Sequence, residues 1–115
     1  HDDALISDCQ DWIIENYNCT NPVARMSDRT GLQPRTFSRR FRAATGYHPL
    51  DYVQELRIEI AKKLLSTETT HIDEISVSVG YEDPTSFRRL FKRKAGLTPA
   101  VYRKRFTGIA DIKNA

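Results

Sequence analysis

Two stretches of the chain repeat one pattern of residues. Residues 23–32 align with residues 72–81 at an offset of 49, and the offset becomes 50 after one extra turn residue in the second copy. Identical residues at matched positions include Ser27/Ser76, Gly31/Gly80, Phe37/Phe87, Arg39/Arg89, Phe41/Phe91, Gly46/Gly96, Pro49/Pro99 and Tyr52/Tyr102. Identities at matched spacing indicate one structural unit present twice, and two copies are too few for a solenoid.

Proline and glycine divide each copy into helices. No alternating apolar pattern typical of strands persists, whereas apolar residues recur at helical spacing, beginning with Leu5, Cys9, Ile13 and Tyr17. Each proline stands where a helix can begin, and Gly31, Gly46, Gly80 and Gly96 stand where one can end. The sequence therefore predicts an all-α fold of seven helices, the first at residues 3–17, the fifth capped by Thr70 and the last ending near Phe106.

The repeat sets the predicted domain organisation. Each copy reads as a short helix, a tight turn and a longer helix, which is a helix-turn-helix. We predict a first helix-turn-helix subdomain at residues 1–48, a linker helix at 49–67, a second subdomain at 68–107 and a frayed tail at 108–115. Trp12 is expected to anchor the first helix on the first subdomain. An apolar face from Val53 to Leu65 would make the linker helix a rigid spacer, about 27 Å long over residues 49–66.

The charges are distributed in alternating blocks. The net charge of the whole chain is +3, yet residues 1–20 carry −5, residues 21–50 carry +5, residues 51–80 carry −3 and residues 81–115 carry +6. Each basic block contains the longer helix of one repeat. Two basic blocks at equivalent places indicate two surfaces that bind a polyanion.

Composition excludes several other classes of protein. No window approaches the twenty apolar residues of a membrane span, and no leader precedes the first helix. Cys9 and Cys19 have no further ligands at metal-binding spacing, so they are interpreted as reduced thiols of a cytoplasmic protein, without metal or cofactor. His48 and His71 stand at predicted helix starts and lack a nucleophile at a recognisable spacing, so no enzymatic activity is expected. Because the chain begins with His1, we expect it to be part of a longer protein.

A helical projection of the two longer helices separates a core face from a basic face. With Phe37 and Phe41 pointing inwards, the opposite face of the third helix holds Arg35 and Arg39. The sixth helix turns Phe87, Leu90 and Phe91 inwards and Thr85 and Arg89 outwards. The residues that flank these outer faces are Ser38, Arg42, Arg88, Lys92 and Arg93. Arginine can donate to both acceptors of guanine in the major groove of DNA, and flanking cations can neutralise phosphates.

Other interpretations of these helices are weaker. The phenylalanines could stack on the bases of a single strand, but Phe at i and i+4 opposite a basic face is typical of a core. A protein-interaction bundle, whose acidic first helix contacts a partner, and a nonspecific nucleic-acid binder remain open. Structured RNA is disfavoured because its narrow major groove excludes a helix. Salt distinguishes DNA binding from an apolar interface, since only the first weakens steeply as salt rises.

The chain resembles the DNA-binding domain of the AraC/XylS family of bacterial transcription regulators over residues 3–107. The most specific part is the second copy with its lead-in, and the first copy, GLQPRTFSRRFRAATG, is similar to a subgroup whose N-terminal domain resembles class I glutamine amidotransferases. The residues that carry the resemblance are Arg57, Ile58, Ala61, Leu65, Ile72, Ile75, Ser76, Gly80, Tyr81, Phe87, Phe91, Gly96, Thr98 and Pro99.

The resemblance implies sequence-specific binding of double-stranded DNA, with the third and sixth helices in adjacent major grooves. Carried over by position, the base-reading residues are Arg35, Ser38, Arg39, Thr85, Arg88 and Arg89. Because Arg42, Lys92 and Arg93 flank the reading faces, we expect them to contact phosphates. RNA polymerase and an N-terminal effector or dimerisation domain are further expected partners. Two residues depart from the family, because Gln33 and His48 stand where Ser or Thr is usual. Both departures bear on phosphate contacts from helix caps.

Overall fold

The computed structural model describes the backbone of residues 1–114 and the side chains of residues 1–108, and it is helical without a strand in that part of the chain. Seven α-helices follow one another along the chain, as the sequence predicts. Their bounds are α1 Ala4–Asn16, α2 Pro22–Thr30, α3 Pro34–Thr45, α4 Pro49–Thr67, α5 Ile72–Ser78, α6 Pro84–Ala95 and α7 Pro99–Asn114.

Proline and glycine mark the helix ends as predicted. Proline occupies the first position of five helices, where its missing N–H is not needed. Gly31, Gly46 and Gly96 end α2, α3 and α6 in the left-handed conformation, with φ between 72° and 82°. The predicted cap at Thr70 is wrong: His71 holds the N-cap position of α5, and the Thr70 hydroxyl donates to Glu68 Oε2 instead.

The chain divides into two compact units, His1–Leu56 and Arg57–Ala115. The division falls inside α4, so the first part of that helix belongs to unit 1 and the remainder to unit 2. The apolar face of α4 changes its partners at the same place. Val53 and the partly buried Leu56 pack in the core of unit 1, whereas Ile58, Ala61 and Leu65 are buried in unit 2.

The core of unit 1 joins α1 to the helix-turn-helix. Its buried members are Ile6, Cys9, Ile13, Met26, Phe37, Phe41 and Val53. The sequence prediction placed Leu5 on the apolar face of α1, and this was wrong. Leu5 is 39% exposed, and its neighbour Ile6 is buried instead. Trp12 packs against this core from its margin, partly buried, with the Arg29 guanidinium 5.4 Å from its ring centroid.

The two units repeat the same aromatic arrangement. In unit 1, the ring of Phe41 lies 5.7 Å from that of Phe37 and meets Tyr52 edge-on at 5.2 Å. In unit 2, the ring of Phe91 lies 5.9 Å from Phe87 and meets Tyr102 edge-on at 5.5 Å. The interplanar angles agree within 2° between the units. The internal repeat found in the sequence is therefore a repeat of the core, and the four phenylalanines are buried as predicted.

Unit 2 contains a buried arginine that packs against the turn of its helix-turn-helix. Arg57 of α4 is 6% exposed, and its Cζ lies 4.9 Å from the ring centroid of Tyr81. The turn between α5 and α6 brings Gly80 against the same guanidinium, at a φ of 109°. Arg103 of α7 donates from Nε to the Leu65 carbonyl at 3.1 Å and so ties α7 to α4.

Replacing Gly80 with Ala is expected to destabilise the chain more than replacing Gly31, its equivalent in unit 1. Both glycines have positive φ, which costs an L residue about 1–2 kcal/mol. A methyl group at Gly80 would also come within 2.7 Å of Arg57 Cζ, whereas one at Gly31 would meet nothing within 4 Å. We expect the contact to add about 1 kcal/mol or more, since overpacking carries such a cost. Urea denaturation of both variants measures the difference, and equal losses would show that Arg57 moves aside freely.

The last helix is longer than predicted. α7 continues to Asn114, eight residues beyond the expected end near Phe106. Residues 108–114 of the predicted frayed tail are therefore helical, and Ala115 lies outside the described residues. Nothing in this segment stops a helix: it has no proline, and Gly108 does not take the left-handed conformation. Within this helix the Thr107 hydroxyl donates to the Arg103 carbonyl, one turn earlier.

Candidate nucleic-acid interface

The outer face of α3 carries the residues predicted for the first unit. Burying Phe37 and Phe41 fixes the rotation of the helix, which leaves Arg35, Arg39 and Arg42 exposed and Ser38 partly exposed. Among the described residues, no carboxylate pairs with these three arginines. Their guanidinium groups are therefore available to an external anion.

A concave surface of about 890 Å³ lies along this face of α3. It brings the four predicted residues of unit 1 together with the residue that precedes α4. Its lining consists of Arg35, Ser38, Arg39, Arg42, Ala43 and His48. Three guanidinium groups and a hydroxyl around one concavity can bind phosphates and base edges.

A fourth arginine of α3 serves the fold. Arg40 donates from Nε and Nη2 to the two carboxylate oxygens of Asp3, at 3.0 and 2.9 Å. Asp3 is also the N-cap of α1 and accepts from the Ile6 amide. The hydrogen bond from Arg40 lowers the pKa of Asp3 below its ordinary value. The pair ties α1 to α3, and Arg40 is correspondingly absent from the predicted reading face.

The outer face of α6 carries the residues predicted for the second unit. Phe87, Leu90 and Phe91 are buried, and this orientation leaves the whole predicted set exposed. The exposed residues are Thr85, Arg88, Arg89, Lys92 and Arg93. Five polar side chains, four of them cationic, thus occupy the face of α6 that corresponds to the basic face of α3.

A carboxylate caps the start of α6, whereas the start of α3 has no side-chain cap. Asp83 caps α6 by accepting from the Thr85 amide at 3.1 Å and the Ser86 hydroxyl at 2.7 Å, and these hydrogen bonds, the Ser86 one foremost, lower its pKa. Gln33 holds the same position before α3 and makes no side-chain cap. Arg88 donates from Nη2 to Oδ1 of Asp73 on α5. The two basic faces therefore differ in their electrostatic surroundings.

Three features of this surface were absent from the sequence prediction. The Asp73–Arg88 pair joins residues fifteen positions apart, and no local spacing signals it. The Asp3–Arg40 pair spans 37 positions. The contrast between Asp83 and Gln33 is visible in the sequence, where Gln33 departs from the residue usual before the third helix.

Other kinds of site receive no support within the described residues. No group of three or more His, Cys, Asp or Glu side chains there could hold a metal ion. Nor does any described helix combine the length and hydropathy needed to cross a bilayer. Burial raises the pKa of Cys9, whose Sγ donates to the Met26 carbonyl at 3.6 Å.

The chain matches a family model and many curated proteins. Residues 26–105 match a family described as a helix-turn-helix domain. The chain is 39% identical over 99 residues to the RCS-specific HTH-type transcriptional activator RclR of Escherichia coli. The aligned region covers 86% of this chain and 32% of RclR. The chain spans no more than about a third of the length of the first curated relatives it matches.

Two solved structures share the fold at more than 30% sequence identity. The DNA-binding domain of AdpA, a global transcriptional factor crystallised with a target DNA, has a TM-score of 0.85 and 31% identity, covering 90% of this chain and 93% of that domain. The C-terminal domain of the two-component response regulator yesN from Fusobacterium nucleatum has a TM-score of 0.81 and 32% identity, covering 84% of this chain and 95% of that domain. Both similarities extend over two helix-turn-helix units.

Proposed function

The chain belongs to the AraC-type helix-turn-helix family of DNA-binding domains, and from that membership we propose that it binds a specific double-stranded DNA sequence through both units to regulate transcription. The observation that carries the proposal is the pair of exposed basic faces on α3 and α6, at equivalent positions of a repeated core. AdpA, which has the same fold, was crystallised with its target DNA.

Two classes of residue share the binding in this proposal. Residues in the first half of each recognition helix read bases, and residues in its second half contact phosphates. The readers are Arg35, Ser38 and Arg39 in unit 1 and Thr85, Arg88 and Arg89 in unit 2. The phosphate contacts are Arg42, Lys92 and Arg93. Arginine supplies the paired donors that match guanine, and small hydroxyl side chains accommodate either kind of base pair.

The length of α4 fits a DNA site in which the two units contact two clusters of bases about one helical turn apart. Its nineteen residues give a helix of about 28 Å. Adjacent major-groove faces on one side of B-DNA lie about 34 Å apart, and bending of the DNA can make up the difference. We propose that the recognition helices enter adjacent major grooves and that α4 acts as the spacer between the subdomains 1–48 and 68–107.

Replacing Arg42, Lys92 or Arg93 with Ala should weaken binding to all DNA sequences about equally. Each side chain is proposed to neutralise one phosphate, so each loss should lower the slope of log affinity against log salt by about one. Titrations at several salt concentrations measure the slope, with Lys63→Ala, an exposed cation of α4, as the control. A changed base preference at an unchanged slope would mean that the replaced residue reads bases.

Selection from a random duplex library with the purified chain tests the function as a whole. Enrichment of an asymmetric motif is expected, because the two reading faces differ. If no motif were enriched and binding were nevertheless tight and salt-dependent, the chain would be a nonspecific nucleic-acid binder. Salt-insensitive capture of a protein partner, without DNA binding, would favour the helical protein-interaction module.

The wider setting follows from the relatives. They are longer than this chain, and RclR is a transcriptional activator. We therefore propose that this domain acts in the cytoplasm beside an N-terminal effector or dimerisation domain, and that RNA polymerase is its protein partner at a promoter. We propose further that this N-terminal domain resembles the class I glutamine amidotransferases, as in the subgroup to which the first copy is similar.

A further inference from the structure

The arginine at position 88 is the one proposed base reader that forms an ion pair within the described residues. Its Nη2 donates to Oδ1 of Asp73, and the two side chains are 48% and 52% exposed. Asp73 lies on α5, the first helix of the second helix-turn-helix, and Arg88 lies on the outer face of α6. The pair therefore joins the supporting helix to the proposed reading surface.

The first unit has no counterpart to this pair. The repeat aligns Asp73 with Ala24 and Arg88 with Ser38, neither of which is charged. Since the aromatic cores of the two units agree closely, the ion pair is unnecessary for the helix-turn-helix arrangement itself. Its presence in one unit alone points to a role in what that unit recognises.

The helix that carries Asp73 is hydrogen-bonded to the turn that follows it. Ser76, on the same helix, is fully buried and donates from Oγ to the Tyr81 carbonyl at 2.8 Å. The Tyr81 amide donates to the Ser76 carbonyl at 2.9 Å. These bonds fix α5 to the turn that leads into α6, so Asp73 has a defined position relative to the base of Arg88.

The contact leaves most of the guanidinium available. Arginine has five N–H donors, and the hydrogen bond to Asp73 uses one of them. Guanine needs two parallel donors, which the remaining N–H groups of a half-exposed guanidinium can supply. A carboxylate that holds one donor of a long side chain limits its rotamers before DNA arrives, so less freedom is lost on binding.

We propose that Asp73 is a specificity-determining positioning residue, which orients Arg88 towards a guanine in the DNA site of unit 2. This proposal rests on the proposed function. The carboxylate acts in two opposite ways. Its negative charge near the phosphates weakens binding to every sequence, while the orientation it imposes on Arg88 strengthens discrimination at one base pair.

The test compares Asp73→Asn with Glu74→Gln in the full 115-residue chain. Glu74 is an exposed carboxylate in the same first turn of α5, without an ion pair among the described residues, so its variant removes an equal charge. The selected site and a set with each base pair replaced provide the DNA probes. Both variants should bind unrelated DNA more tightly. Only Asp73→Asn should lose discrimination, on the order of fivefold, at one base pair in the cluster read by α6.

A double-mutant comparison assigns the effect to Arg88. In an Arg88→Ala background, Asp73→Asn should leave discrimination unchanged, because the side chain that it orients is gone. Arg88→Lys, which keeps the charge without the planar donors, should lose the same base preference. Asp73→Ala, which removes the same carboxylate, takes the place of Asp73→Asn if that variant fails to fold. Unchanged or sharper discrimination in Asp73→Asn would overturn the positioning role and leave sequence-specific binding intact. Failure of the parent chain to select any sequence would overturn the proposed function together with this inference.

Discussion

Replacing Phe91 with Ala is expected to lower the free energy of unfolding of unit 2 by about 3–5 kcal/mol. The Phe91 ring is fully buried and contacts two other rings, those of Phe87 and Tyr102. Truncation removes its apolar burial and both ring contacts, and it leaves a cavity in a unit with a small core. A domain of this size has little stability in reserve, so the variant should be largely unfolded at moderate temperature.

The position of Trp12 determines how the loss is measured. The one tryptophan of the chain lies in unit 1, so its fluorescence reports Phe41→Ala directly, whereas far-UV circular dichroism is needed to follow Phe91→Ala. Val77→Ala is the matched control in unit 2, because Val77 is 57% exposed and buries little apolar surface. A melting temperature of Phe91→Ala equal to that of the parent would show that α6 turns a different face to the core.

Local signals in the sequence were sufficient for most of the fold. Proline fixes a helix start and left-handed glycine fixes a helix end through the chemistry of single residues, so these boundaries needed no tertiary information. The repeat then gave a second, independent indication of which face of α3 and of α6 points towards the core. Agreement between Phe37/Phe41 and Phe87/Phe91 left one inward face for each helix.

The errors arose where one sequence fits two arrangements. In α1, apolar doublets at Leu5–Ile6 and Ile13–Ile14 fit two rotations of the helix, and packing against Met26 selects the one that buries Ile6 and Ile13. Charged residues are rarely buried, so nothing in the sequence placed Arg57 beneath Gly80. These features depend on contacts across the unit rather than on spacing along the chain.

The candidate site, like the fold, could be predicted from the sequence only in part. Exposure of Arg35, Arg39 and Arg89 follows from burying the phenylalanines, so the location of the basic faces could be predicted. The difference between the faces could not, because ion pairs such as Asp73–Arg88 depend on the approach of two helices. The base-reading and phosphate roles of these residues remain predictions.

Replacing Arg39 with Ala and Arg89 with Ala should relax base preference in two separate clusters of one DNA site. Each arginine is exposed on the recognition helix of its own unit, at equivalent positions of the repeat. Loss of a paired contact to guanine costs about 1–3 kcal/mol of discrimination. The cluster relaxed by Arg89→Ala should be centred about one helical turn from that relaxed by Arg39→Ala, within an asymmetric site of about 20 base pairs. Library selection with each variant measures both positions, and Lys63→Ala should change neither cluster.

Inserting five base pairs between the clusters should abolish simultaneous binding by both units. Half a helical turn moves one groove to the opposite side of the duplex, and the α4 spacer of about 28 Å has no hinge signal such as proline or glycine after Pro49. The residual affinity should equal that of a site with one cluster scrambled. Replacing the sequence between the clusters without changing its length should preserve binding, which separates spacing from composition. If the insertion were tolerated, or if both arginine variants relaxed the same bases, the two units would have to bind independently or at a single groove, and the spacer role of α4 would be wrong.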